Sequence, residues 1–462
     1  MTRRERLVLL ASTLGFSMVL LDTTVVNVAL GSIARDLHAG ATTLEWVANA
    51  YTLVFAGLLL STGLAADRLG ARAVFLTGLA TFAAGSIAAT AAPSAAGLVA
   101  AQAVLGVGAA LVLPTSLSLL SQVFADPARR VRAVGVWAAG SAVSFAAGPV
   151  VGGVLIQQAG WRSIFVINLP LALLAALLVL SQVRRGRPRA QAAASLNLGA
   201  QAVAVAMLVA LTFGLVESGD RGWGSAPVVV ALGGAGILAV ALVARERSTP
   251  RRLVPHELVS DRRFTAATAG GALLNFAFYG ELFFLSLFLQ QERGLDALQT
   301  GLAFLPQPLL FMAVSPLAGR LMASRGPRLP LGIGAAVSVA GALVLLGVDA
   351  TSPYGVLMAG LGLNGLGGGL AIPAVTAAVM GSAPPALAGI ASATLNAGRQ
   401  LGGVLGVAVL GGLAAGGGRV EVAGMHEAVL IAGLGLALAS ALSVRLAPRR
   451  GVVAAAPVLA TE

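Results

Sequence analysis

Long apolar stretches alternate with short polar segments along the whole 462-residue chain. A helix needs about 20 consecutive apolar residues to cross the hydrocarbon core of a bilayer. The pattern predicts fourteen such spans, near 7–30, 44–65, 73–92, 97–121, 131–156, 162–182, 196–216, 226–244, 264–290, 299–319, 329–347, 354–380, 387–415 and 427–446. The apolar runs are continuous rather than alternating, which excludes a transmembrane β-barrel. We therefore expect an all-α membrane protein.

The composition agrees with the pattern. Charged residues make up 10% of the chain and hydrophobic residues 57%, whereas a soluble domain carries about 25% charged residues. The chain has no cysteine and only 3 histidines, which argues against disulfides and against a metal enzyme. The net charge of +12 comes from arginines in short loops, so we expect these arginines to lie at the membrane surface and not to bind nucleic acid.

The distribution of arginines predicts the orientation. With the N-terminus in the cytoplasm, 24 arginines lie in inner segments and 5 in outer loops. An even number of spans then places both termini in the cytoplasm. The first apolar run follows "TRRER" but lacks a small-residue cleavage site, so we interpret it as an uncleaved first helix.

The chain contains an internal repeat. "GLAADRLGAR" matches "GRLMASRGPR" at an offset of 256, and "GVGAALVLP" matches "GLGGGLAIP" at an offset of 259. The sequence thus predicts two parallel halves of six helices each, at residues 1–183 and 261–450. Two inserted helices and a cytoplasmic linker fill 184–260, and a cytoplasmic tail follows at 451–462. Parallel repeats of this kind are typical of secondary transporters.

Two acids lie deep inside apolar spans at equivalent positions of the repeat. Asp22 interrupts "SMVLLDTTVVNVAL", and the offset carries it to Glu281 in "FAFYGELFFL". A dry site favours the protonated form of a carboxyl group, so each acid can load and release a proton beside a central cavity. Asn27, Asn275 and Tyr279 are candidate polar neighbours. The alternative is that both acids only hydrogen-bond neighbouring helices for packing.

The motifs resemble those of the major facilitator superfamily, and specifically its fourteen-helix drug:proton antiporter branch. "LDTTVVNVAL" is similar to the first-helix signature, "GLAADRLGAR" to the loop motif between the second and third helices, and "SFAAGPVVGG" to the fifth-helix motif of antiporters. "WRSIFVINLP" and "NAGRQLGGVLGVAVL" also fit the branch. The resemblance runs from about residue 6 to residue 446 and implies the two-bundle fold and a multidrug efflux function.

Two of these motifs suit gating. In the loop motif, Gly63 and Gly70 permit close packing and a sharp turn, while Asp67, Arg68 and Arg72 can form a charged latch at the inner surface. Alternatively, the two arginines only fix topology. The second copy has Ala323 in place of the acid, so any latch is asymmetric.

The fifth-helix motif predicts a tightly packed and bendable helix. Gly148, Gly152 and Gly153 remove side chains from its surface, and Pro149 frees a carbonyl group and permits a kink. Simple helix packing without gating is the alternative.

The sequence departs from the family in the fourth helix, where Gln102 stands in place of an arginine that the family associates with proton handling. Arg399 is then the one arginine that lies within a predicted span and away from its ends, and it should face the protein interior with a partner. Asp22 or Glu281 is a candidate partner; alternatively, Arg399 caps polar groups between helices.

We therefore expect a bacterial inner-membrane exporter without cofactors, driven by the proton gradient, and monomeric. Its partners are protons, the lipid bilayer and small amphipathic molecules, with cationic compounds among the candidates. Two alternatives remain open: an exporter of one metabolite or self-made antibiotic, and a membrane sensor that has lost transport. The chain lacks the G-x-x-x-x-G-K-[ST] loop of ATP-driven proteins and carries no sign of an enzyme.

Overall fold

The computed structural model describes residues 1–124, 126–183, 198–249, 252–384, 387–416 and 419–446. The predicted linker residues 184–197 and the predicted tail 451–462 lie outside these ranges. The helices are α1 (Arg3–Leu37), α2 (Ala41–Leu69), α3 (Ala71–Thr90), α4 (Ala95–Val123), α5 (Pro127–Ala159), α6 (Ser163–Val166), α7 (Asn168–Gln182), α8 (Leu198–Arg221), α9 (Ala226–Ser248), α10 (His256–Ser260), α11 (Arg262–Gln291), α12 (Ala297–Phe304), α13 (Pro306–Arg325), α14 (Arg328–Leu345), α15 (Tyr354–Ser382), α16 (Ala388–Ala414) and α17 (Val422–Leu446). Two short strands, β1 (Ala415–Gly416) and β2 (Arg419–Val420), pair before α17.

The prediction of an all-α membrane fold is confirmed. In the described part of the chain, 13 helical segments are long and apolar enough to cross a membrane. Helix α2, which has 29 residues, occupies the remaining predicted span. Many helices extend beyond the predicted spans; α1, for example, covers Arg3–Leu37 instead of 7–30. They extend because polar residues outside the hydrocarbon core can continue a helix.

Two of the predicted spans each consist of two helical pieces. The sixth is divided between α6 and α7, and the tenth between α12 and α13. Proline lies at each interruption: Pro306 opens α13, and Pro170 is in the first turn of α7. Because proline has no backbone N–H and clashes with the preceding turn, it favours a break at these points.

The internal repeat is visible in the backbone. Gly70, between α2 and α3, and Gly326, between α13 and α14, adopt positive φ angles of 87° and 77°. Glycine tolerates such angles best, so the two sharp turns require it. Asp22 and Glu281 are each the twentieth residue of their helices, counting from Arg3 in α1 and Arg262 in α11.

Small residues bring the helices of each half close together. A Cβ on Gly108 would lie 2.7 Å from the backbone nitrogen of Phe82, so α4 packs directly on α3. In the second half, a Cβ on Gly334 would lie 2.6 Å from the carbonyl oxygen of Gly367, which joins α14 to α15. Close backbone approach is the main route to helix association in a bilayer, where burial of apolar side chains gives little driving force.

The two inserted helices lie at the side of the molecule. Helix α8 packs against α2 of the first half and α16 of the second, and Leu208 contributes to a small apolar cluster with Leu53 and Val404. Helix α9 packs on α8 and exposes large apolar side chains such as Val230 and Ile237. An apolar surface of this kind suits contact with lipid.

Candidate functional site

A cavity of about 430 Å³ lies between the two halves. The first half contributes mainly apolar side chains from α1, α4 and α5, and the second contributes nearly all of the polar ones. The polar and charged lining residues are Asn275, Tyr279, Glu281, Gln307, Ser338, Asn364, Asn396, Arg399 and Gln400. A mostly apolar cavity with a few converging polar groups is typical of a small-molecule site.

Aromatic rings shape the walls of the cavity. Phe16 of α1 stacks on Trp137 of α5, with ring centroids 4.5 Å apart and planes at 13°. Phe145 and Phe278 meet across the two halves at 5.7 Å, and Tyr279 packs edge-on against Phe278 at 5.2 Å. These rings offer large and rigid apolar faces to a bound molecule.

Glu281 is the acid of the cavity. Its side chain is 2% exposed and lines the cavity wall. Asn364 of α15 donates a hydrogen bond from Nδ2 to Glu281 Oε2 at 2.8 Å, whereas Oε1 is buried without a partner. A buried carboxyl oxygen without a partner is costly. The site therefore holds a carboxyl group whose protonation or binding of a donor would be favourable.

Arg399 faces the same cavity and contacts a polar group of another helix. Its guanidinium Nε lies 3.5 Å from Asn275 Oδ1 of α11. In the described ranges of the chain, no ion pair joins it to Asp22 or Glu281, so the contact fits the alternative that Arg399 caps polar groups between helices. Among the described residues, this cation of the cavity is held by one long contact with a neutral amide.

Asp22 does not line the cavity, which corrects the expected position. It is 1% exposed inside the first half, where Asn168 of α7 donates from Nδ2 to Asp22 Oδ1 at 2.9 Å. The same Nδ2 lies 3.3 Å from Ser86 Oγ of α3, and Asp22 Oδ2 is buried without a partner. Equal register along α1 and α11 fixes the depth of both acids, but the rotation of each helix decides what its acid faces.

Asn27 lies where the two halves meet, outside the cavity. Its backbone oxygen accepts a hydrogen bond from Ser286 Oγ of α11 at 2.6 Å, and its side chain bonds its own helix. One residue further, the backbone oxygen of Val28 accepts from Gln290 Nε2 at 3.2 Å. These bonds directly join α1 to α11.

We use the term seam for the contact surface of the two halves, formed by α1 with α11, α5 with α12, and α2 with α16. In α1, the lining residues Phe16 and Leu20 precede the contact residues Asn27 and Val28. The same order holds in α5, α11 and α16, where lining residues precede seam residues. Since these four helices run in one direction, the cavity lies on the side of the seam that carries the chain termini.

The glycines of α5 lie at close contacts between helices, and their role in gating stays a prediction. Gly148 packs against Thr24 and Gly152 against Val25, both on α1, while Thr24 Oγ1 bonds the oxygen of Phe145 at 3.2 Å. A Cβ on Gly153 would lie 2.6 Å from the Cα atom of Leu298, across the seam.

Pro149 also lies at the seam, because its carbonyl oxygen faces Gly301 of α12. Helix α5 therefore contacts its own half and the opposite half within two turns.

The loop motif is described only in part. Gly63 lies within α2, but its packing and the side chain of Asp67 are not described, so the charged latch stays a prediction. Gly70 forms the predicted sharp turn with φ 87°. Arg68 has an interaction partner, and Arg72 has a buried Nε without one.

Gln102 has a structural contact. It is 1% exposed and donates from Nε2 to the oxygen of Val47 at 3.2 Å, which joins α4 to α2. Its Oε1 is buried without a partner, and the residue does not line the cavity.

Sequence reasoning missed Asn168, which holds Asp22, and Glu45, a further buried acid on α2 with 1% exposure. An asparagine deep in an apolar run was the available signal for Asn168. From its place in an apolar span Asn364 is expected to hydrogen-bond a neighbouring helix, and it does so by holding Glu281. Glu45 lies at the start of its predicted span. An acid at that position is expected among the lipid headgroups, so no sequence signal indicates that Glu45 is buried.

Comparison with known families identifies the chain. The sequence profile described as Major Facilitator Superfamily matches residues 12–407 and 309–460. The chain therefore belongs to the major facilitator superfamily, and it is a multi-pass membrane transport protein and not an enzyme.

Its relatives include resistance and export proteins of bacteria. A methylenomycin A resistance protein of Streptomyces coelicolor is 36% identical over 397 residues, which cover 86% of this chain and 83% of the relative. The multidrug resistance protein Stp of Mycobacterium tuberculosis is 36% identical, covering 90% of this chain and 77% of Stp. A tetracenomycin C resistance and export protein of Streptomyces glaucescens is 33% identical, with 88% and 75% covered. These names agree with the drug:proton antiporter branch that the motifs resemble.

Solved structures share the fold. A bacterial homologue of the human lysosomal transporter Spinster, in an inward-facing and unoccupied conformation, superposes with a TM-score of 0.71 at 16% identity. The superposition covers 96% of this chain and 97% of that one. At this identity the similarity concerns the fold alone.

Proposed function

We propose that this protein is a proton-coupled antiporter that exports small amphipathic compounds, drugs or antibiotics among them, across the bacterial inner membrane by alternating access. Both termini lie in the cytoplasm in this proposal, as the arginine distribution predicts. The observation that carries the proposal is the cavity between the halves, with one buried acid on its wall and a second inside the neighbouring bundle.

Proton exchange accounts for the two acids. A proton that occupies Glu281 leaves its carboxyl group neutral in a dry cavity, and a substrate that brings a donor or a positive charge favours the ionised form. Substrate and proton then compete for one group, which produces antiport. Asp22 responds to the same movement from within the first half, because α1 also forms part of the seam.

The one-sided cavity supports alternating access. Only the end that carries the termini adjoins the cavity, while the seam joins the halves beyond it. Rocking of the halves about the cavity would open the seam and release the substrate on the other side.

The names of the relatives support drug export. They describe resistance to methylenomycin A, multidrug resistance, and resistance to and export of tetracenomycin C. Because two of these names specify a single antibiotic, export of one self-made antibiotic is the second candidate. A substrate panel separates the two, since a multidrug exporter moves several unrelated compounds and a dedicated exporter moves one.

Proteoliposomes with an imposed pH gradient test the proposal. We expect the wild type to drive uphill transport of at least one panel compound and to move protons in the opposite direction. Asp22→Asn should lose the uphill transport, because the introduced amide keeps an oxygen for Asn168 but cannot titrate. Substrate exchange without a gradient should continue in this variant. Uphill transport that is independent of the pH gradient would contradict proton antiport, and unchanged coupling in Asp22→Asn would contradict a proton-carrying role for Asp22.

A further inference from the structure

A third acid lies in the seam itself, away from the cavity. Glu45 is in the second turn of α2 and is 1% exposed. A Cβ on Gly411 of α16 would lie 3.2 Å from Glu45 Oε1, so the carboxyl group faces the opposite half across a surface of glycine. Phe283 of α11 packs on the same glycine. The acid is therefore enclosed by apolar and backbone groups of the second half.

The polar groups at this place are unsatisfied. Glu45 Oε2 is buried without a hydrogen-bond partner. Asn49 follows one turn later on the same face of α2; it is 1% exposed, and neither its Oδ1 nor its Nδ2 has a partner. Buried polar groups in native proteins nearly always have partners. Two adjacent side chains with unpaired polar atoms are not explained by helix packing, and they indicate a site that binds a further group.

The surrounding charges increase the cost of an ionised Glu45. The charged groups that act on it are Asp220 and Glu217 of α8, and both are acidic. Arg221, on the same helix as these acids, is already paired with Glu217 at 2.5 Å. Trp46 donates to the other oxygen of Glu217 at 3.3 Å, which keeps that acid beside α2. A negative charge on Glu45 would thus be both desolvated and repelled in the closed seam.

We propose that Glu45, with Asn49 beside it, is a proton-binding site that controls the seam. Protonated Glu45 fits the closed seam; when the proton leaves, the seam opens and water reaches the carboxylate. The inference rests on the alternating access proposed above and adds a site that is separate from the substrate cavity. It places proton binding at the end of the molecule opposite the termini, the side from which protons enter in the proposed antiport.

Distances across the seam test this proposal without substrate or gradient. The natural chain has no cysteine, so Gly40→Cys and Ala350→Cys give a unique pair of thiols for nitroxide labels. Both positions are exposed in loops at the seam end, one in each half. We expect the wild-type distance to lengthen as the pH rises from about 5 to about 9, the range in which buried glutamates titrate. Glu45→Gln should keep the short distance at every pH.

Two further variants make the result specific. Glu217→Gln removes a charge that repels ionised Glu45, so the proton should leave and the seam should open at a lower pH than in the wild type. Glu257→Gln should keep the pH response, because Glu257 is exposed on α10 and lies outside the seam. The proposal is overturned if the wild-type distance does not change with pH, or if the change with pH persists in Glu45→Gln. It is also overturned if, at constant pH, added sodium chloride alone produces the change in distance. This experiment measures a distance and not transport. A negative result would therefore contradict the role of Glu45 without contradicting proton antiport.

Discussion

Each intramembrane acid on α1 and α11 is held by one amide side chain from another helix. Asn168 holds Asp22, and Asn364 holds Glu281. An amide N–H can donate to a carboxylate and to the oxygen of a protonated acid alike. Such a partner fixes the position of the acid without fixing its charge. A paired arginine would instead keep each acid ionised.

The charge of Glu281 should matter for the choice of substrate. Glu281→Gln preserves an oxygen for Asn364 Nδ2 but removes the ionisable group. We expect KM for a cationic substrate to rise about tenfold relative to a neutral analogue, because a charged hydrogen bond contributes about 1.5–3 kcal/mol. Transport assays with a matched pair of compounds measure this ratio.

Asn364→Ala is the control for lost geometry. It keeps the charge of Glu281 and removes the hydrogen bond. KM should rise to a similar extent for the cationic and the neutral compound in this variant. Equal losses for the two compounds in Glu281→Gln would remove the charge role of the acid.

The depth of these acids was predictable from the sequence, and their surroundings were not. The repeat placed Asp22 and Glu281 in the same register because a helix has a fixed rise per residue. Their partners lie 146 and 83 positions away along the chain. Glycine contacts at many points determine which face of each helix turns inward, and a single sequence does not specify that rotation.

At the scale of the helix, α5 connects local packing to the contact between halves. Gly148 and Gly152 face α1, and Gly153 faces α12. The spacing of four and five residues places these contacts on two adjoining faces of one helix. A shift of α5 on one face therefore moves the other face as well.

Gly148→Leu should abolish transport while the protein still inserts. A side chain at this position would collide with Thr24 of α1. Leucine would separate α5 from α1 and misplace the seam. Gly135→Leu is the matched control, since it lies on the same helix with open space around its Cβ position. Flux and membrane content are compared; wild-type flux in Gly148→Leu would refute tight packing of α5.

The turn between α14 and α15 should respond to acid. Asp349 Oδ1 accepts hydrogen bonds from the side chains and backbone of Thr351 and Ser352. The bond from the Thr351 hydroxyl is the main cause that lowers the pKa of Asp349 from 3.8 to about 2. A lowered pKa means that ionised Asp349 stabilises the folded turn above pH 3.8, and that this contribution is lost as the pH falls towards 2.

Thermal unfolding of the purified protein in detergent tests this dependence. The difference in Tm between wild type and Asp349→Asn should be largest near neutral pH and should shrink as the pH falls towards about 2. A difference that is constant over this range would show that the charge of Asp349 does not stabilise the turn.

At the scale of the whole molecule, the seam and the cavity define one conformation. Hydrogen bonds from Ser286 and Gln290 reach backbone oxygens of α1, and glycines of α5 and α16 allow the halves to touch. The sequence predicted two similar halves, because similar segments fold alike. It did not predict which end is closed, since that depends on contacts between residues far apart in the sequence, such as Ser286 and Asn27.

Ser286→Ala should weaken the closed seam. It removes the hydrogen bond to the backbone oxygen of Asn27 at 2.6 Å. The loss of about 0.5–1.5 kcal/mol should increase the ratio of open to closed molecules about two- to tenfold. The label pair at Gly40→Cys and Ala350→Cys reports the two populations. Thr376→Val is the control, because its hydroxyl bonds only its own helix, at the oxygen of Ile372. An equal shift in both variants would contradict a role for the bond across the seam.

Helix α8 touches both halves, but in different ways. Gln201 and Glu217 make hydrogen bonds to Gly57 and Trp46 of α2, whereas Leu208 meets Val404 of α16 through apolar contact alone. Directional bonds resist sliding more than apolar contacts do. The inserted pair should therefore travel with the first half, so that the moving bodies contain eight and six membrane-crossing segments. The heavier body has the larger perimeter of lipid, so in the alternating access proposed above the lighter body is the part that tilts further.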